Sequence, residues 1–161
     1  MDAALFPMPR AGYAQRDAAL RGRYIANTLS GCVSCHTPRE NGKLALDKAY
    51  QGGMSFDRHL LAAAPSSYPE KIYSSNITPH ATGIADYSVR DVVRALKHGV
   101  DRQQRGICEP MPVGPKDAFG GLTDGDAEDI AHYLKAIPAR DNTVPNDCVA
   151  QLPSDRSHAA R

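Results

Sequence analysis

The sequence predicts an all-α domain with long connecting loops, and three observations predict it. Three stretches carry apolar residues at the helical period, no segment carries the alternation of a strand, and Gly and Pro gather mostly between the helical stretches. The first helix runs from Asp17 to Leu29, with Leu20, Tyr24, Ile25 and Leu29 near the period. Gly22 lies inside it, which costs stability unless another helix approaches closely there. The second runs from Ser88 to Gly99: Ser88 caps its start, Asp91 completes a capping-box pattern, Val89, Val92, Val93 and Leu96 form the apolar stripe, and Gly99 ends it. The third runs from Thr123 to Ile137, with Thr123 as cap, acids in its first turns, Ile130, Tyr133, Leu134 and Ile137 facing inward, and Pro138 as the stop.

Between the helices, residues 37–75 read as irregular, broken by Gly42, the pair Gly52-Gly53, Pro65 and Pro69, and suited to wrapping a surface or ligand. Residues 102–119 form a turn-rich loop. The expected organisation is a flexible N-terminal segment over residues 1–16, one domain over 17–137, and a polar tail over 138–161 that is anchored only if Cys148 is bridged.

Composition narrows the function classes. The 161 residues hold 19 Lys+Arg against 18 Asp+Glu, a formal charge of +1 that gives no basis for non-specific nucleic-acid or anionic-membrane binding. The longest apolar stretch, near Leu60–Pro65, is far too short to span a bilayer. Trp is absent and aromatics make up 6% of the chain, so the interior needs something besides its own side chains to fill it.

The four cysteines indicate what that is. Cys32-Val33-Ser34-Cys35-His36 is the C-x-x-C-H pattern of c-type haem attachment. Two thioethers must reach the vinyl groups of adjacent pyrroles while the next residue sets an imidazole under the iron, and two intervening residues let one turn of chain do both. A thioredoxin-like pair would want a strand before the motif, whereas helical sequence precedes it and Thr37-Pro38 follows. A zinc site would want a second paired ligand motif, and the chain has none. Covalent haem c is attached in an oxidising, exported compartment, where the remaining Cys108 and Cys148 are expected to form a disulfide worth about 4 kcal/mol on the chain-entropy model. The alternative for that pair is two buried free thiols. No signal-peptide apolar core is visible near Met1, which implies a chain already relieved of its export signal.

His36 supplies the proximal nitrogen, and the second axial ligand decides between electron transfer, gas binding and catalysis. Met111 is the expected ligand, because Pro110 and Pro112 stiffen its backbone in a loop outside any helical stripe. Met54, after Gly52-Gly53, is the alternative among the methionines, with Met1 and Met8 ahead of the first helix. His98 reads as a helix-terminus cation, and His59, His80, His132 and His158 as surface residues.

These residues stand in an order that resembles the class I-type cytochrome c domains of bacterial dehydrogenase cytochrome subunits of the alcohol and gluconate dehydrogenase kind. The resemblance runs through Arg21-Gly22-Arg23-Tyr24, Cys32 to Pro38, Gly52-Gly53, Asn76-Ile77-Thr78-Pro79 to Ile84, Met111-Pro112, and Leu122 to Leu134. It covers about Asp17 to Ile137. It implies three to four helices around haem c, first and last helices crossing at Gly22 and Tyr133, Gly53 and Pro112 beside the cofactor, and Asn76 and Thr78 bonding a propionate at the haem edge. This chain departs from those subunits in having one C-x-x-C-H motif instead of three, in reading Met-Pro-Val where they read Met-Pro-Tyr, and in its Cys108/Cys148 pair.

The function expected is a soluble, periplasmic one-electron carrier with a single His/Met-ligated haem c. It would take electrons from a periplasmic dehydrogenase and pass them to an oxidase or another cytochrome. Arg90, Arg94, Lys97, Arg102 and Arg105 on one side, and Asp124 to Asp129 on another, are either a charge-steered docking face or ordinary solvated helix faces. The rival readings are an open-site haem serving as gas sensor or peroxidase, and a relay subunit bound permanently to its dehydrogenase.

Overall fold

A computed structural model of the chain describes residues 6–61, 64–145 and 148. Helix α1 spans Arg16–Tyr24 and α2, one turn long, spans Cys32–His36; α3 spans Val89–His98 and α4 spans Asp124–Ala136. The two later helices follow their punctuation. Ser88 accepts from the Asp91 N–H while the Asp91 carboxylate accepts from the Ser88 N–H, and Gly99 closes α3 at φ 66° with its N–H on the Ala95 carbonyl. Thr123 caps α4 by accepting from the Asp126 N–H at 3.1 Å.

The first helix ends differently from expectation. Residues Ile25–Leu29 continue α1 as a wider π-turn, closed by the Ser30 N–H on the Ile25 carbonyl at 2.8 Å. Asn27 provides the cause: its Nδ2 donates to the Arg23 carbonyl at 2.7 Å, the acceptor that an ordinary α-turn would offer to the main chain. The Asn27 Oδ1 in turn accepts from the buried Tyr50 hydroxyl.

Helices α1 and α4 cross with almost no space between their backbones. A Cβ on Gly22 would stand 1.8 Å from the Asp129 carbonyl oxygen and 2.8 Å from the Ile130 nitrogen. Arg21 clamps the crossing, its Nε and Nη2 donating to the two Asp129 carboxylate oxygens at 2.7 and 2.8 Å. Tyr133 lies a turn further along α4, where its ring meets that of Tyr50 edge-on at 5.7 Å and its hydroxyl donates to the Pro7 carbonyl. The N-terminal segment, expected to be loose, is therefore packed from Phe6 onward. Phe6 is buried, Arg23 donates to the carbonyls of Phe6 and Pro7, and the Arg10 N–H bonds the last turn of α4 at Ala136. Residues 1–5 lie outside the described part.

An all-α description also needs correction, because two small antiparallel ribbons stand in the stretch read as irregular. Strands β1 (Arg39–Glu40) and β2 (Lys43–Leu44) are joined by Asn41-Gly42, both at positive φ, as a two-residue hairpin turn requires. Strands β3 (Ser55–Asp57) and β4 (Lys71–Tyr73) pair through Phe56 and Ile72. At two or three residues each, these strands are too short to show a period of two. A satellite core of Tyr68, Ile72 and Cys108 lies apart from the main helical core.

Two predictions follow from this packing. Gly22→Ala should cost about 3 kcal/mol or more in urea unfolding, since neither backbone at the crossing can yield cheaply; a loss near zero would mean the helices do not approach this closely. Ser88→Ala should cost about 1 kcal/mol at neutral pH. Hydrogen bonds from Ser88, and then the Arg94 guanidinium, hold the Asp91 carboxyl below the usual carboxylate range. That contribution is complete above the ordinary carboxylate pKa and is lost as pH falls through the depressed one, so the gap between wild type and variant should narrow in acid.

Candidate functional site

Gly31 turns the chain in the left-handed region, at φ 62°, and starts α2 immediately after the π-turn. Cys32, Cys35 and His36 then occupy positions i, i+3 and i+4, which lie on one face of a single helical turn. All three line one cavity of roughly 330 Å³. Cys32 is buried and Cys35 exposed, and neither is in a disulfide. Burial pushes the Cys32 thiol up to about 12.

His36 is 7% exposed, and its Nδ1 lies 2.8 Å from the Ser75 carbonyl oxygen. A carbonyl can only accept, so Nδ1 carries the proton and Nε2 keeps its lone pair. Burial lowers the imidazole below its ordinary pKa, against the smaller opposing effect of the Ser75 bond, and the ring is neutral at pH 7. A tight double turn sets this bond. Tyr50 stands at φ 68° with its N–H on the Thr37 hydroxyl, and Gly52 at φ 75° donates to the His36 carbonyl at 2.8 Å. A Cβ on Gly52 would fall 2.5 Å from the backbone of Ser74 and Ser75, so only glycine lets this strand of chain approach.

Met111 lines the same cavity and packs against the main core. Its N–H donates to the Cys108 carbonyl, and its carbonyl accepts from Val113. The walls around it are apolar, with Val92 and Leu96 from α3, Ile107 and Val113 from the loop, and Leu134 from α4. At the rim, Asp101 and Arg105 are paired at 2.8 Å.

The other expected residues are distributed as follows. Pro112 lines the cavity and is exposed, whereas Gly53 stands outside it and donates to the Ser74 carbonyl. Asn76 lines the cavity, but its amide is committed to protein: Oδ1 accepts from the N–H and hydroxyl of Thr78, and Nδ2 donates to Thr82 and to the Arg140 carbonyl. Thr78 is fully buried beneath Asn76, outside the lining. Met54 is tied to Ser74 through its main chain and does not face the cavity, and Met8 is exposed. His80 bonds Thr82 and His132 bonds Tyr13, while His59 and His98 are exposed; Met1 and His158 lie outside the described residues. Among the described residues, Met111 is thus the only methionine in the cavity, and His36 the only histidine. Much of the basic cluster is paired within the fold, as Arg94 to Asp91, Arg105 to Asp101 and Lys97 to Asp124.

Cys108 and Cys148 are joined as a disulfide, with Cα atoms 6.2 Å apart, and both line the cavity. Val144 lines it as well. Ser75 and Val144 carry no side-chain pattern that reveals their place in this wall. The Gly52-Gly53 pair was the available signal. The site suits a haem: one face of a turn offers two thiols and a neutral imidazole with a free Nε2, and the apolar walls include a soft thioether.

Comparison with known proteins shows the family to which the chain belongs. A family model described as Cytochrome c matches residues 19–138. The chain is 32% identical over 127 residues to the fructose dehydrogenase cytochrome subunit of Gluconobacter japonicus, covering 78% of this chain and 22% of that protein. It is 32% identical over 115 residues to the gluconate 2-dehydrogenase cytochrome c subunit of Pantoea cypripedii, covering 71% and 22% respectively. A diheme cytochrome c-type protein of Cereibacter sphaeroides is 33% identical over 120 residues, 74% of this chain and 35% of its own length. The chain therefore spans well under two thirds of these curated relatives. With the family model covering most of its length, the chain belongs to the cytochrome c family, an electron-transfer family whose haem c is covalently bound.

Proposed function

We propose that this chain is a one-electron carrier with a single haem c, tethered through Cys32 and Cys35 and ligated by His36 and Met111. The observation that carries the reading is the placement of His36 and Met111 in one cavity beside the attachment thiols. Bound haem supplies a ferric/ferrous couple. The protein's own residues do the rest. Thioether bonds at Cys32 and Cys35 prevent the cofactor from dissociating. The Ser75 carbonyl fixes the ring orientation and basicity of His36. Met111 offers a soft sulfur, which favours the reduced state and raises the potential. Val92, Leu96 and Leu134 exclude water, so little solvent has to reorganise when charge changes.

The donor in this proposal is a dehydrogenase, and the acceptor an oxidase or another cytochrome. Support for the donor comes from relatives named as cytochrome subunits of fructose and gluconate dehydrogenases. The same names favour a second reading, in which the chain is a bound relay within such an enzyme. Co-elution with a dehydrogenase on size exclusion separates the bound relay from the free carrier. An exported, periplasmic location is supported by the Cys108–Cys148 disulfide together with the thioether motif.

The test is an optical spectrum of the protein matured with haem, followed by Met111→Ala. Wild type should show sharp low-spin ferrous bands and the weak far-red ferric band of sulfur ligation. Met111→Ala should lose the far-red band, take up CO in the ferrous form, and fall in potential by on the order of 0.1 V or more, within the ~0.8 V range that axial ligands set. Met54→Ala should leave all three unchanged. A wild type with high-spin ferric bands that itself binds CO would replace the carrier with the open-site sensor or peroxidase reading.

A further inference from the structure

The family match ends at residue 138, yet the chain beyond it is built into the cavity. Residues 140–145 run from the end of α4 across the wall that carries Ser75 and Asn76. Arg140 uses both main-chain groups there: its N–H donates to the Thr78 hydroxyl at 3.0 Å, and its carbonyl accepts from Asn76 Nδ2 at 2.8 Å. Asn142 adds two more bonds, from its N–H to the Thr82 hydroxyl at 3.1 Å and from Nδ2 to the Gln51 carbonyl at 2.9 Å. Gln51 adjoins Gly52, whose N–H holds the His36 carbonyl. Val144 then faces the cavity, and Cys148 is joined covalently to Cys108. Cys108 is three residues from Met111, and its carbonyl accepts the Met111 N–H.

We infer that residues 140–145, together with the Cys108–Cys148 disulfide, act as a cross-brace that ties the His36 wall to the Met111 loop and so holds Met111 in place as a ligand, with Cys108, Cys148 and Asn142 as positioning residues. The inference rests on the reading of Met111 as the axial ligand. Without the brace, the Cys108 end of the loop keeps its packing on Tyr68 and Ile72 and the bond from the Ile107 N–H to the Gly99 carbonyl, but loses its covalent tie to the His36 wall. A ligand on a restrained loop competes with external ligands at a high effective concentration, and a slacker loop lowers that concentration. Asn76 and Thr78 fit the same account. Their buried polar groups are committed to Arg140, which explains why two polar side chains are tolerated inside this wall.

The experiment is a titration of the ferric, haem-loaded protein with imidazole, read by loss of the far-red sulfur band. Wild type is compared with Cys108→Ser/Cys148→Ser, Asn142→Ala and Thr123→Ala. The cysteines are replaced together because a lone thiol could itself bind iron. Thr123→Ala removes the cap of α4, far from the brace, and reports what general destabilisation does. The imidazole Kd should fall by about tenfold in the double variant and by a smaller factor in Asn142→Ala, with Thr123→Ala near wild type. The inference is overturned if Asn142→Ala and the double variant both bind imidazole within about twofold of wild type, or if Thr123→Ala shifts the Kd as far as they do. Should the double variant fail to fold, Asn142→Ala decides, since it keeps the disulfide. A wild type without the far-red band overturns the Met111 reading itself, which is a separate result from a band that is present and insensitive to the brace.

Discussion

The hydrogen bond from His36 Nδ1 to the Ser75 carbonyl is the constraint on which the rest of the site depends. It decides which ring nitrogen carries the proton, and so which one can bind metal. It also demands that residues 39 positions apart in sequence be held within 2.8 Å, with an imidazole buried between them. Much of the irregular middle of the chain is explained by that demand. The positive φ at Tyr50 and Gly52, the Gly52 N–H on the His36 carbonyl, and the β3–β4 ribbon that ends just before Ser74 all deliver one carbonyl to one place.

The helices supply the frame for this arrangement. Gly22 lets α1 lie directly on the α4 backbone, and the Asn27 π-turn redirects the chain so that α2 starts with its functional face toward the cavity. Asn27, Tyr50 and Tyr133 connect the π-turn, the Gly-Gly turn and α4 through hydrogen-bonded hydroxyl and amide groups, the two tyrosines being fully buried and Asn27 partly so. Burial raises the pKa of both tyrosine hydroxyls, so they remain neutral donors across the physiological range. The scarcity of aromatic residues has a matching explanation, since a family that carries haem c has the cofactor to complete its interior.

Features that depend on local chemistry were legible in the sequence. The capping box at Ser88 and Asp91, Gly99, Thr123 and Pro138 fixed α3 and α4 closely, and the C-x-x-C-H motif identified the attachment turn. What escaped depended on contacts distant in sequence or on main-chain partners. Nothing in Phe6 or Pro7 announces that Arg23 and Tyr133 will bond their carbonyls. The wall position of residues 140–145 rests on hydrogen bonds to threonine hydroxyls and a backbone carbonyl, which leave no spacing signature. Asn41-Gly42 is a strong hairpin turn, but strands of two residues leave no alternation beside it, so Gly42 reads only as a break in an irregular stretch.

Intact mass under denaturing conditions tests most directly the proposal that one haem, bonded to Cys32 and Cys35, completes this cavity. The expected mass is that of the polypeptide plus a single haem, retained after unfolding, with neither Cys32 nor Cys35 open to alkylation. A bare polypeptide mass after haem maturation, with both of those thiols alkylated, would contradict it.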